Sequence, residues 1–547
     1  MGAEEYPMTI GEYLFGRLKA EGVGHLFGIP GDFVVPHFRV AADLGFQLVT
    51  TTHEPGAGFA ADAYARLAGL GAVLTTYGAG ALNMVNAIAQ AYAERSPVLV
   101  VSGAPEVEGR RIDALFHHRV KSYDSQLNVY REITGAAAAL NDPATAAGAI
   151  DQVLDAVQTT KRPGYLEIPR DVLGAPLRTT PAHPPAPPRD FAAEDEAFAE
   201  VLARIQASRR PVIYAGIETE RFRLRTRLIA LAEKLGVPVV TSIEGKCVFP
   251  EDHPNFVGIY MGAAGSEAAR AAVETADCLL VLGAFLTDVS TGYYTARIDR
   301  SKVIAASAED VAVGHHRYPG IGLGDLLARL LAAPSLPDFG FQQSMPAASA
   351  PSSDTDGPLR TAQIIEVANA IVASDRYVVV SDVGDCLYAS VDLRTDLFLG
   401  PGYYNSMGFG VPAALAVPLA RPDRRALVFV GDGAFQMTGL ELSTARRLGQ
   451  NPIVIVFNNG GYAMMQTIAG HQPYFKLPGW DYPGLARALG GHGVRVTSRD
   501  ELCKALADAE ASREFFLIDA LLDPADISPA WRRMTEGVQR RMAAARR

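Results

Sequence analysis

The sequence predicts an α/β protein of three doubly wound parallel-sheet domains. Two observations predict it. Continuous Val/Ile/Leu runs recur along the whole chain, separated by amphipathic helical patterns, which is how strands buried on both faces read. Two stretches, 179–190 (TTPAHPPAPPRD) and 334–358 (PSLPDFGFQQSMPAASAPSSDTDGP), interrupt the pattern. The first is too proline-rich for helix or central strand and the second is rich in Ser, Pro and Ala, so both read as linkers. They cut the 547 residues into three pieces of domain size.

The first piece, 1–180, carries the runs GAVLTTYG, SPVLVVSGAP and GYLEIP. The second, 190–340, carries PVIYAGIE, VPVVTS, CLLVLGAF and KVIAAS. The third, 358–547, carries YVVVSDVGD, ALVFVGDG, NPIVIVFNN and FFLIDALL. Sites in such sheets lie beyond the carboxyl ends of the strands. The polar residues of interest fall there, after VLTT, VVVS, LVFV and VIVF.

Composition narrows the function. With 48% apolar and 20% charged residues the chain is ordinary globular material, and its net charge of −10 argues against nucleic-acid or membrane-surface binding. No apolar run approaches the roughly 20 residues of a membrane span. The start, MGAEEYPMTIGEYLF, has acids where a secretion signal carries lysine or arginine, so a cytoplasmic protein is expected. Cys247, Cys278, Cys386 and Cys503 form no CxxC pair, which leaves buried reduced thiols as the expectation for all four.

The third piece holds the most informative motif. VFVGDGAFQMTGLEL reads as a strand, a Gly-Asp-Gly turn and a helix starting near Thr438. Gly431 and Gly433 let backbone approach a bulky anion, and Asp432 between them is a hard oxygen ligand suited to magnesium. Alone, such a turn is commonplace. FNNGGYAMMQT follows one helix and one strand later, so Asn458 and Asn459 should emerge beside Asp432 at the same sheet edge. Asn459 offers an amide oxygen and Gly461 a backbone carbonyl, completing a protein share of an octahedral site. The competing reading is an Asx turn at Asn458–Asn459.

GDG, a helix and a strand, then NN resembles the diphosphate-binding motif of thiamine diphosphate (ThDP) enzymes, and the spacing is similar to that of the pyruvate and indolepyruvate decarboxylases. The resemblance covers nearly the whole chain, in the order pyrimidine, central and diphosphate domain. It implies Asp432, Asn459 and the Gly461 carbonyl as Mg²⁺ ligands. Gly431, Gly433, Ala434, Tyr462, Ala463 and Met464 are implied around the cofactor. Asp385 and Cys386, in VSDVGDCLYAS, are implied beside its diphosphate. In YYNSMGFGVPAALA it puts Met407 under the bent cofactor and the Asn405 carbonyl against the pyrimidine amino group.

The first piece supplies the rest by the same resemblance. Glu54, in THEPGAGFAADAYARLAG, matches the glutamate that activates the aminopyrimidine. Read alone it is a helix-start acid. Thr76 and Asn86, in TTYGAGALNMVNAIAQAYAE, match positions lining the same pocket. Asp32, in FGIPGDFVVPHF, with His117 and His118, in LFHHRVK, resembles the decarboxylases' Asp and His-His set. Asp32 and His118 are thereby implied to move protons, with His117 orienting or assisting. Neighbours on a regular element do not share a face, so read alone such a pair usually means one structural and one functional residue, or none.

Departures from the family pattern bear on the substrate. Pyruvate-specific relatives carry a glutamate where this chain has Met465. Leu387 and Val289 stand where those relatives carry bulky aromatics. With Met464 these residues predict a wide apolar pocket, similar to that of the bacterial phenylpyruvate decarboxylase branch. The expected reaction is non-oxidative decarboxylation of an aromatic or bulky 2-oxo acid, such as phenylpyruvate or indole-3-pyruvate, to its aldehyde. Two alternatives stand beside it. One is a carboligase or acetohydroxyacid-synthase-like transferase, which passes the acyl unit to an acceptor. The other is an attenuated ThDP-binding protein. The central piece lacks a GxGxxG turn after a strand, so neither flavin nor nicotinamide is expected. Self-association as a homodimer or homotetramer is implied, with the active site at a subunit interface. The tail PAWRRMTEGVQRRMAAARR reads as a solvated or lid-like helix.

Overall fold

Every apolar run named above forms a strand in the computed structural model, which describes residues 8–178, 190–341, 357–373 and 375–545. Most of the two expected linkers, 179–189 and 342–356, lies outside the described residues. Compactness divides the chain into two units. The described residues 8–178, 411–423 and 438–450 make the first, and the others make the second.

The first unit contains β1 (His25–Gly28), β2 (Gln47–Thr50), β3 (Gly71–Thr75), β4 (Val98–Ala104), β5 (Ala136–Ala139) and β6 (Gly164–Pro169). They form one sheet in the order β2-β1-β3-β4-β6-β5, parallel throughout. Leu26, Leu74, Leu99, Val101 and Leu166 bury one face of it against Leu14, Phe15 and Leu154 from the helices. β5 is four alanines, a helix-favouring composition that ends as an edge strand because pairing with β6 outweighs propensity.

The second unit holds two sheets. One runs β13-β12-β11-β10-β7-β8-β9 and contains β7 (Pro211–Ala215), β8 (Val239–Thr241), β9 (Phe256–Ile259), β10 (Cys278–Leu282), β11 (Val303–Ala306), β12 (Asp310–Val313) and β13 (His316–Pro319). β11, β12 and β13 pair antiparallel, so this sheet is mixed rather than parallel throughout. The cause is two short connections, residues 307–309 between β11 and β12 and a tight turn between β12 and β13 with Gly314 at φ +60°, which reverse the chain with no crossover helix.

The other sheet, β15-β14-β16-β17-β19-β18, is parallel throughout. Its members are β14 (Tyr377–Ser381), β15 (Phe398–Leu399), β16 (Arg425–Gly431), β17 (Ile453–Asn458), β18 (His492–Val496) and β19 (Phe516–Leu521). β16 and β17 are neighbours, with Gly431 opposite Phe457, so the turns after them leave the sheet side by side. The helix after β16 begins at Asp432 and ends at Thr438, rather than starting near Thr438. The turn is itself the first helical turn, and Gly439 interrupts the helix.

Cys247, Cys278 and Cys386 are buried free thiols, as expected, but Cys503 is exposed. It lies on the helix Arg499–Ala511, whose inward face is already filled by Leu502, Ala505, Leu506 and Ala509. Among the described residues no helix is long and apolar enough to cross a membrane.

Candidate active site

In the second unit, a cavity of about 500 Å³ opens at the carboxyl ends of β14, β16, β17 and β19. Val383–Cys386, Gly431–Ala434, Asn459, Gly461–Met465 and Leu522 line it from those strand ends, with Tyr403, Asn405 and Met407 from the loop after β15. The residues expected to hold the diphosphate and metal therefore converge on one cavity.

Asp432, 4% exposed, accepts hydrogen bonds from Gly433 N at 2.8 Å and from Gly461 N at 3.0 Å. Burial pushes its carboxyl up to about 6. Asn459 Oδ1 accepts from the same Gly461 N–H at 3.3 Å, so an acid oxygen and an amide oxygen converge on one donor. That bond gives Asn459 the Asx-type geometry, while Asn458 does something else. Its amide donates to Asp519 Oδ1 at 2.7 Å, and Arg495 donates to the other Asp519 oxygen at 2.7 Å. A wholly buried carboxylate thus pins the NN turn to β19.

The donor chemistry fits a hard divalent cation: one carboxylate and one amide oxygen, with a carbonyl nearby at Gly461. The backbone fits a bulky phosphorylated ligand. A Cβ on Gly433 would stand 2.7 Å from Tyr462 Cε1 and 3.4 Å from Met407 Cε, filling the cradle, whereas one on Gly431 would meet nothing. Met407 therefore lies against Gly433. Its loop is locked by Asp382, a fully buried acid that accepts from Val383 N at 2.8 Å, Gly408 N at 3.0 Å and Gly410 N at 2.6 Å. Asn405 sits at φ +58°, and its side chain donates to the Tyr403 carbonyl at 3.0 Å.

Asp385 and Cys386 also line the cavity, but both Asp385 oxygens are taken by Ser528, from N at 2.7 Å and from Oγ at 2.6 Å. Burial pushes Asp385 up to about 6 and the Cys386 thiol up to about 12. Val289, Met464 and Met465 line the cavity with Tyr293 and Tyr388. Leu387 does not line it. It is packed with Val289, Tyr388 and Trp531 in the cluster behind, so Tyr388 supplies the lining there. Asp288 brings a further carboxylate to the lining.

In the first unit, Glu54 begins the helix Glu54–Ala68 and accepts from Asn83 Nδ2 at 2.8 Å. A Cβ on Gly80 would stand 3.0 Å from Thr76 Cγ2 and 3.5 Å from Glu54 Oε1, so these two side chains flank bare backbone. Among the described residues Thr76 Oγ1 is buried without a hydrogen-bond partner, which leaves it able to meet a bound polar group. Asn86 lies in the next helix, Val85–Ala93, and is exposed. The turn before Glu54 is pinned by Glu441, which accepts from Thr52 N at 3.0 Å and Thr52 Oγ1 at 2.7 Å.

Asp32 and His117 pair, Oδ2 to Nε2, at 2.7 Å. His117 stacks on Phe33 at 4.8 Å, and the two histidine rings are 4.6 Å apart. Ligating atoms of Asp32, His117 and His118 all lie within 4.8 Å of one another, so both histidines face one place. The expectation that they must diverge fails because they sit in an irregular turn, where His118 adopts φ +67°. Gly78, at φ +65°, makes the approach possible, since a Cβ there would be 2.2 Å from the His118 carbonyl oxygen.

Asn83, Asp382, Asp519, Ser528 and Glu441 were not singled out from the sequence. Asn83 had a signal, being a second asparagine three residues before Asn86; the others act through contacts remote in sequence.

Comparison with known proteins bears on the whole chain. Residues 8–128 match the thiamine pyrophosphate enzyme N-terminal TPP binding domain, 198–332 the central domain and 382–520 the C-terminal TPP binding domain. The chain is 40% identical over 545 residues to an indole-3-pyruvate decarboxylase of Azospirillum brasilense, covering 98% of this chain and 100% of that protein. It is 34% identical over 548 residues to an alpha-keto-acid decarboxylase of Mycolicibacterium paratuberculosis, covering 96% of each. An alpha-keto-acid decarboxylase of Mycobacterium tuberculosis is 34% identical over 542 residues, with 95% of each chain covered.

Proposed function

The chain belongs to the thiamine-diphosphate-dependent 2-oxo acid decarboxylases, and we propose that the acids it decarboxylates best carry an aromatic or other bulky side chain, phenylpyruvate and indole-3-pyruvate among them. One observation carries this reading: Val289, Tyr293, Tyr388, Met464 and Met465 give the cavity an apolar and aromatic wall, with a thioether where an acid would favour a small polar substrate. Each added buried CH₂ is worth roughly 0.8 kcal/mol, so a phenyl or indole group gains what pyruvate's methyl cannot. The name of the Azospirillum relative points the same way.

The roles of the residues follow from their chemistry. Bound thiamine diphosphate supplies the electron sink that decarboxylation requires. Asp432, Asn459 and the Gly461 carbonyl would hold Mg²⁺, which neutralises the diphosphate, with Gly431 and Gly433 leaving room for it. Met407 would give the cofactor an apolar support. Glu54, held by Asn83, would be the group that shares a proton with the aminopyrimidine of the bound cofactor, with the Thr76 hydroxyl as a further polar group for the same pocket. Asp32 orients His117, while His118 carries protons to and from the reacting carbon. We assign 1–180, 190–340 and 358–547 as pyrimidine, central and diphosphate domains, in a cytoplasmic enzyme that works as a homodimer or homotetramer.

The test is kcat/KM for phenylpyruvate, indole-3-pyruvate and pyruvate with ThDP and Mg²⁺. The aromatic acids are expected to exceed pyruvate by more than about tenfold. A preference for pyruvate overturns the reading.

A further inference from the structure

The last helix, Pro529–Ala545, is fastened to the cavity wall at two points. Ser528, just before it, gives its N–H and hydroxyl to Asp385, as above. Trp531, 1% exposed, donates Nε1–H to Thr467 Oγ1 at 2.8 Å, and Thr467 Oγ1 in turn donates to the Met464 carbonyl at 2.7 Å. The direction of this chain is fixed. An indole N–H can only donate, so the threonine oxygen must accept there and its single proton must go to Met464.

The segment at the end of the chain of bonds needs such a tie. The helix Ala463–Ala469 is seven residues long and buries only Ala463, far too little to hold itself in place. It carries Met464 and Met465, two of the wall residues. The Trp531 ring is itself anchored, 4.7 Å from Tyr388 and 6.2 Å from Tyr293, both on the same wall.

We propose that Trp531 is a positioning residue for substrate selection: through Thr467 it fixes Met464 and Met465, and so sets the width of the pocket that receives the acid's side chain. This rests on the reading that the cavity takes that side chain. Neither residue touches the reacting atoms.

The test is a double-mutant cycle read on selectivity. Thr467→Val removes the hydroxyl at constant volume on an exposed position, and Trp531→Phe keeps an aromatic ring but removes the N–H. Each is expected to change the phenylpyruvate-to-pyruvate ratio of kcat/KM by about fivefold, mainly through KM, the worth of one neutral hydrogen bond. The double variant is expected to go no further than either single one, because both break the same chain. If the wild type prefers pyruvate, the substrate reading fails, yet the cycle still reports whether the two positions act together. Equal losses for both acids, effects that multiply in the double variant, or a lowered Tm with an unchanged ratio would each overturn the proposal.

Discussion

At the scale of single residues, buried carboxylates do most of the shaping. Asp432 lines the cavity with its oxygens bonded to the Gly433 and Gly461 amides. Asp432→Asn keeps the shape but removes the charge a magnesium ion needs, and is expected to weaken Mg²⁺-dependent ThDP binding by about 100-fold in calorimetry. Binding at wild-type strength would remove Asp432 from the metal site. Asp382 carries a different prediction. Burial outweighs its three backbone hydrogen bonds and pushes its carboxyl from 3.8 up to about 6. Between about pH 4 and pH 6 the folded protein keeps a proton that the unfolded chain has released. Its contribution to stability is therefore full below pH 4 and declines as pH rises through 6, by an amount on the order of 3 kcal/mol. Asp382→Asn should abolish that slope, so urea denaturation at both ends of the window should show wild type losing ground to the variant as pH rises. Parallel profiles would contradict it.

At the scale of elements, the helix that begins with Glu54 is held by charge pairing. Arg66, near its far end, donates to both Asp62 oxygens at 2.8 Å and to Glu94 at 3.0 Å, all within the core. Gln90 adds a bond to Asp62 at 3.0 Å. Burial alone would raise Asp62, but the Arg66 charge and these bonds hold it below the usual carboxylate range. Arg66→Ala would take the buried cation away from Asp62 and Glu94, at a cost of about 3–5 kcal/mol, visible as a lower urea midpoint. A shift under about 1 kcal/mol would show that the acids find other partners. Long apolar runs made the central strands legible in the sequence. The four-residue β1, the alanine strand β5 and the β12–β13 hairpin were not, because short or mixed-polarity segments become strands only by pairing with neighbours already in place.

For the whole molecule, the proposed metal is tested together with the cofactor and the reaction. Chelating divalent ions is expected to release ThDP and lower Tm, with recovery on adding Mg²⁺ and ThDP together and not on adding either alone. Product analysis with one oxo acid, with and without an added aldehyde, is expected to give mainly the free aldehyde in both. A dominant ligation product would assign the enzyme to acyl transfer instead. The sequence by itself determined the fold class, the order of the sheets and the polar residues at their carboxyl ends, because strand periodicity and GDG–NN spacing are local patterns. Only the tertiary structure decided which groups hold those residues: Asn83 on Glu54, Asp519 on Asn458, Asp382 under the Met407 loop, and Trp531 behind Met464. It also moved Leu387 off the cavity and brought both histidines to Asp32. The physical reason is that a buried polar group must be satisfied by whatever the fold brings beside it, and that partner leaves no periodic trace along the chain.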